Sequence, residues 1–217
     1  MPKIVDHEER RRALAEALWR VIAESGPQAV SIRSVAAEAG LSTGALRHYF
    51  QTREELLTYA IDLSEERVTE RMKEHARSLD PEMSLEDRVL GFAEQLLPLD
   101  QARRAEYRAW QATGDPDYLD PRVEHRWHQQ RRLYRQLVAA LGGIDPPEDP
   151  GRVHPDPWLE SWSEFLHTFL DGLSLQLMTN PEQVTPETAL ARLRSFLAHI
   201  ESVRPGAGER NRVRTTP

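Results

Sequence analysis

The chain contains no cysteine, which removes disulfides, thiolate metal sites and cysteine nucleophiles from consideration. No apolar run approaches the roughly 18 residues of a membrane span, and the opening MPKIVDHEERRR has no apolar signal-like core. A Gly-x-Ser-x-Gly elbow, a phosphate-cradling glycine loop and a paired metal motif are also missing. No stretch alternates with the period of a strand, and there is no internal repeat or low-complexity tract. These absences argue for a cytoplasmic, all-α protein that needs no cofactor. With 217 residues and 39% hydrophobic content, the chain is long enough to bury a sizeable core.

Charge divides the sequence. The whole chain carries -7, yet residues 1–60 hold eight basic and eight acidic residues and are neutral. The acidity therefore belongs to the remainder. An acidic body repels phosphate, so any nucleic-acid contact must come from a local basic face near the N-terminus.

Apolar residues at three- and four-residue spacing predict a first helix from about Asp6 to Ser25, stopped by Gly26-Pro27. Ser31 is placed to cap a second helix bearing Ile32, Val35, Ala36 and Ala39 on one face. Gly40 makes a turn, and Ser42 or Thr43 caps a third, short helix running through Tyr49. Thr52 with Glu55 forms a capping box that opens a long fourth helix towards Leu79. Further helices are expected over 84–97, 102–114, 121–141, 157–179 and 186–203, about nine helices in all. Residues 142–157 read as a proline-rich loop. The expected domains are a DNA-binding head at 1–53, a ligand-binding and dimerisation domain at 54–203, and a disordered tail at 204–217.

Two short helices joined by a tight turn, residues 31–56, form the geometry that lays one helix in the major groove of DNA. In the second of them Leu46 and Phe50 fall on the inner face, while Thr43, Gly44, Arg47 and His48 fall on the outer one. Gly44 allows close approach to the groove floor. Arg47 has the donor fork that reads guanine O6 and N7. Ser31, Arg33, Ser42, His48, Tyr49 and Arg53 sit where phosphates flank the groove, with Ala45 on the same short helix.

The pattern Ser31-x-Arg33-x-x-Ala36-x-x-Ala39-Gly40-Leu41-Ser42-x-Gly44-x-Leu46-x-x-Tyr49-Phe50-x-x-Arg53-Glu54-x-Leu56 resembles the TetR family of bacterial transcriptional repressors. The stretches LLPLDQARRAEYRAW and FLDGLSLQLM are similar to the BetI-type regulatory domain. Arg47 stands where family members often have Tyr, and Arg53 where they often have Lys. The resemblance implies a homodimer built from the last two helices, double-stranded palindromic operator DNA as partner, and release by a small-molecule inducer. The expected dimer residues are Phe165, Leu166, Leu170, Leu173 and Leu177, with Leu190, Leu193, Leu197 and Ile200.

Aromatic residues gather in the second part, where bundles hold small-molecule sites. The expected inducer contacts are Phe92, Leu96, Tyr107, Trp110, Trp127, Trp162 and Phe169, although aromatic residues at helical spacing also build ordinary core. His125 and His128 beside Glu124 read as solvated rather than metal-binding. Glu164-x-x-His167 lacks the second such pair that a di-iron bundle needs. Three alternatives remain beside a repressor: control by a protein partner, activation, and a helical-bundle enzyme.

Overall fold

The computed structural model describes residues 7–111, 123–145 and 152–204, the side chains of 123–126 excepted. Among the described residues there are only helices and turns. They are α1 (His7–Ser25), a 3-10 turn (Pro27–Ala29), α2 (Ile32–Glu38), α3 (Thr43–Arg47), α4 (Arg53–Ser78), α5 (Leu85–Glu94), α6 (Gln101–Gln111), α7 (Val123–Gly142), α8 (Pro157–Thr179) and α9 (Pro186–Ser202). The all-α expectation holds, and most boundaries fall within a residue or two of those predicted. α3 ends two residues early, because His48 is already its C-cap. α5 stops at Glu94, where the chain tightens into turns as far as Leu97. The expected ends at Asp6, Gly114 and Pro121, much of the proline-rich loop, and the tail beyond Arg204 lie outside the described residues.

The chain packs as two compact units, Met1–Arg71 with Pro98–Pro121, and Met72–Leu97 with Arg122–Pro217. A division at 53/54 is thus not a packing boundary. α4 runs unbroken through residue 71, and α6 belongs with the N-terminal helices.

In the first unit, Leu14, Leu18 and Ile22 of α1 meet Val35, Leu46, Phe50, Leu56 and Leu57 in one buried cluster. Ala105 and Ala109 of α6 close the same cluster. With methyl-sized side chains on that face, α6 can approach α1 closely. Glu106, between them in sequence, is only 6% exposed. It accepts from both terminal nitrogens of Arg71 at 3.2 Å and lies 3.6 Å from Arg67. Arg67 also reaches Glu16 at 2.7 Å and covers the ring of Trp19 at 4.4 Å. One buried carboxylate therefore ties α6 to α4, and α4 in turn to α1. A carboxylate so buried is tolerable only with such partners.

In the second unit, the buried faces of α8 (Leu159, Leu166, Leu170, Leu173, Leu177) and α9 (Leu193, Leu197, Ile200) supply most of the core, with Val138 and Leu141 from α7. Glu160 rivets α7 to α8: it accepts from Arg135 Nε at 2.7 Å and from the His154 amide at 2.7 Å. Burial alone would raise this carboxyl, but these bonds and the Arg131 charge outweigh it and hold it below its ordinary range. At the start of α5, Asp87 accepts from Arg194 of α9 at 2.6 Å.

Gly91 of α5 is in contact with the His75 ring of α4, and a Cβ added there would fall 2.2 Å from its Cε1 and Nε2. Gly91→Ala is expected to cost about 1–3 kcal/mol by overpacking. Combining it with His75→Ala should recover most of that loss. Urea unfolding of the two single variants and the double variant measures the coupling, and strict additivity would refute this packing.

Candidate nucleic-acid interface

The reading device is built from caps and turns. Ser31 accepts from the Ser34 amide at 3.0 Å, and the Ser34 hydroxyl returns to the Ser31 amide at 2.9 Å, which fixes the start of α2. At its end, the Gly40 amide donates to Ala37 O and the Leu41 amide to Ala36 O. This closure requires a left-handed residue at position 40, and Gly40 takes φ 66° without a Cβ penalty. Ser42 then caps α3 by accepting from the Ala45 amide at 3.1 Å. Its own O–H remains a donor of the kind phosphate needs.

α3 is five residues long and is held from behind by Leu46 and by Phe50 just past its end, both fully buried. Thr43, Gly44, Arg47 and His48 are exposed, with Ala45 half-buried. A Cβ on Gly44 would meet only Ser42 Oγ at 3.8 Å. Nothing among the described residues demands glycine there. Arg33 and Arg47 enter no ion pair among the described residues, whereas Arg12 and Arg20 are paired with Glu66 and Glu38. The exposed arginines of α2 and α3 are thus the ones without an ion pair among the described residues.

Two residues assigned to phosphate carry structural duties. Arg53 donates from Nε to Val30 O at 2.9 Å and more weakly to Pro27 O at 3.5 Å. It is half-buried and pins the loop that enters α2. Tyr49, also half-buried, lies with its ring 4.9 Å from that of His7. Arg11 is sandwiched over Phe50 and Tyr59 at 4.7 and 4.4 Å, so it braces the core instead of extending the basic face. Tyr59 donates to Glu8, and its burial, with that carboxylate, pushes its hydroxyl upward.

The residues expected to contact an inducer are distributed over both units. Tyr107 and Trp110 stack on each other along α6, in the first unit. In the second unit, Phe92 meets the His75 ring edge-on at 4.7 Å, and Leu96 is half-buried in the turn after α5. Trp127 lies on α7, half-exposed, 6.5 Å from the ring of His167. Trp162 and Phe169 point elsewhere, onto an outward aromatic stripe. There Trp162 meets Phe165 at 5.3 Å, Phe196 at 6.0 Å and His199 at 5.6 Å, while Phe169 stacks on Phe196 at 4.1 Å.

The expected dimer residues differ in their exposure within the chain. Leu166, Leu170, Leu173, Leu177, Leu193, Leu197 and Ile200 are buried within the chain's own core, and Leu190 is half-buried. Phe165, from the same set, is 54% exposed, and the side it shares with Trp162, Phe169 and Phe196 is the one left uncovered. α8 is apolar almost all round, so spacing alone did not distinguish its two sides.

Sequence reasoning passed over a buried polar line on α8: Ser163, His167 and Ser174. The signal was present as polar residues interrupting an otherwise apolar face at four- and seven-residue intervals. His125 and Glu124 fall among the side chains outside the described set, and among the described residues no group of three or more potential metal ligands converges.

A capped, outward-facing short helix held behind a tight turn, with Arg47 unpaired among the described residues, is the arrangement of a helix-turn-helix unit. Residues 14–60 match the family described as bacterial regulatory proteins, tetR family, and residues 85–201 match the BetI-type transcriptional repressor C-terminal domain. The chain belongs to the TetR family. The HTH-type transcriptional regulator PksA of Bacillus subtilis is 35% identical over 209 residues, covering 94% of each chain. The regulator BetI of Yersinia pestis is 26% identical, covering 91% of this chain and 95% of its own. A Rhodococcus transcriptional regulator superposes with a TM-score of 0.70 at 28% identity, over 88% of this chain and 95% of that one. A putative regulator from Saccharomonospora viridis, solved in complex with choline, shares the fold with a TM-score of 0.71 at 21% identity, over 88% and 97%. Transcriptional regulators are not an enzyme class. No helix among the described residues is long and apolar enough to cross a membrane.

Because Arg53 holds two backbone carbonyls, Arg53→Ala should lower stability by about 1–3 kcal/mol, the usual cost for a charged hydrogen bond lost. A phosphate role alone would leave the urea midpoint unchanged. Unfolding of the variant without DNA distinguishes the two.

Proposed function

We propose that the protein is a ligand-responsive repressor acting in the bacterial cytoplasm, which binds a palindromic operator as a homodimer. The observation that carries this reading is the Gly44–Arg47 face, exposed, with no ion pair and no packing reason for its glycine among the described residues. Arg47 is assigned to a base edge. Ser31, Arg33, Ser42, Thr43 and His48 are assigned to phosphate, with Gly44 and Ala45 lying against the groove. Arg53 and Tyr49 are assigned first to holding the reader in place.

A single head covers only half of such a site. Two heads related by two-fold symmetry must stand roughly 34–36 Å apart to enter successive major grooves. The dimer face assigned here is the aromatic stripe of Trp162, Phe165 and Phe169 with Phe196 of α9. An exposed patch of this kind marks an interaction surface more often than bare solvent contact. Gly172, on the same side of α8, has open space where a Cβ would stand, which suits close helix approach.

Release follows as a population shift: a small molecule must bind better to the arrangement in which the heads are misplaced. α4 suits the role of connector, being one helix of 26 residues, roughly 39 Å long, whose first part packs in the head and whose last turns pack in the second unit.

Binding of the selected operator should weaken with salt, with a log–log slope of about -0.9 per neutralised phosphate. Arg47→Ala should relax preference at one base pair per half-site, a cost of about 1–3 kcal/mol. Gly44→Ala should leave stability unchanged and still weaken the complex. A flat salt response, or a Gly44→Ala protein with full affinity, argues against the interface.

Phe165→Asp should yield monomers in analytical ultracentrifugation with little loss of fold. Leu166→Ala should instead cost about 2–5 kcal/mol of stability by opening a core cavity. The reverse pattern would return the interface to the leucine face.

A further inference from the structure

The chain leaves α3 through an exchange of hydrogen bonds at Gln51. Were the helix to continue for another turn, the Gln51 amide would donate to Arg47 O. That amide donates instead to Glu55 Oε2, in the first turn of α4, at 2.8 Å. The Gln51 side chain takes over the vacated place, and its Nε2 donates to Arg47 O at 2.6 Å. Thr52 completes the junction by accepting from the Glu55 amide at 3.0 Å. One residue thus closes the end of α3 with its side chain and is held to the start of α4 by its backbone.

The position so closed is the one that aims the reader. Arg47 is the last residue of α3, with His48 as C-cap. One residue earlier, Leu46 O already accepts from the Tyr49 and Phe50 amides at 2.9 and 3.1 Å. The last carbonyls of a helix have no partner within it, and an open last turn frays. Leu46 and Phe50 are buried and hold the inner side of this turn. On the exposed side, Gln51 is the group bonded to the Arg47 carbonyl. A carbonyl only accepts, so this contact needs the amino end of a side-chain amide.

The Arg47 side chain enters no ion pair among the described residues. Its direction is therefore set by its own backbone. A two-pronged contact with a base edge tolerates little error in that direction.

We propose that Gln51 is a positioning residue for base recognition, whose side-chain amide holds the last carbonyl of α3 and so aims Arg47 at its base pair. This role rests on the assignment of Arg47 to a base edge. Gln51 itself need touch neither base nor phosphate. Glu55 serves the same end one step back. Its carboxylate, favoured at the N-terminus of α4, holds the backbone from which the amide reaches.

The test uses the full-length protein and an operator that it selects from random DNA, with each base pair of a half-site changed in turn. Preference is the ratio of affinities for the selected and the changed operator. Arg47→Ala identifies the base pair that Arg47 reads. Gln51→Met keeps the length of the side chain and removes its donor. It should lower preference at that same base pair about three- to tenfold. Other base pairs, the salt slope and the melting temperature of the free protein should change little, because Gln51 is exposed. In the Arg47→Ala background Gln51→Met should add nothing. Gln51→Lys returns a donor and should return the preference, since a ratio of affinities is insensitive to the added charge.

Full preference in Gln51→Met overturns the positioning role, and so does a Gln51→Lys protein as indiscriminate as Gln51→Met. A loss at a different base pair, or an equal loss in the Arg47→Ala background, overturns it by showing that Gln51 meets DNA itself. If Arg47→Ala costs no preference anywhere, the base-edge assignment fails and the role of Gln51 falls with it. The Arg47 variant alone thus tells the two failures apart.

Discussion

The reading helix depends on two side chains facing away from what it reads. A helix of five residues has no stability of its own, because nucleation costs more than so few hydrogen bonds return. Leu46 and Phe50, fully buried against α1 and α4, supply what the backbone cannot. This anchoring leaves the outer face free to carry glycine, threonine and arginine, residues chosen with little regard to helix propensity. The Schellman closure at Gly40 and the caps at Ser31 and Ser42 then set the angle between α2 and α3.

The arginines show how local electrostatics can oppose net charge. A chain of -7 still presents a cationic edge, because Glu66, Glu38 and Glu106 take up Arg12, Arg20 and Arg71 while Arg33 and Arg47 enter no ion pair among the described residues. The second unit divides its aromatic residues in a comparable way. On α8 one stripe is uncovered, and another side, through His167, meets Trp127 and Tyr134 of α7. The uncovered side is the one assigned to the proposed pairing of subunits.

Much of this was legible in the sequence. Periodicity and caps placed the helices, and the spacing from Ser31 to Leu56 marked the reading unit. The misses share a physical cause, since each depended on a neighbour distant in sequence. α6 joins the head through Ala105 and Ala109, whose small side chains give a weak hydrophobic signal. The two sides of α8 cannot be ranked by apolar content when both have it. Arg53 has the composition of a phosphate ligand, and only the fold shows that it also donates to the carbonyls of Val30 and Pro27. The polar line through His167 was visible as a pattern, but its ring contact with Tyr134 emerges only once α7 is laid beside α8.

The Glu106 attachment has a consequence for how the molecule is made. The head is discontinuous in sequence: residues 72–97 form an excursion before α6 returns to complete the cluster. On the ribosome, α1 to α4 therefore emerge with an alanine-sized gap along α1 and with Arg67 and Arg71 still lacking their buried carboxylate. The packing of the head is complete only after the chain has been extended through α6, and a fragment cut at the end of α4 would carry every residue proposed to meet DNA without the brace that holds them.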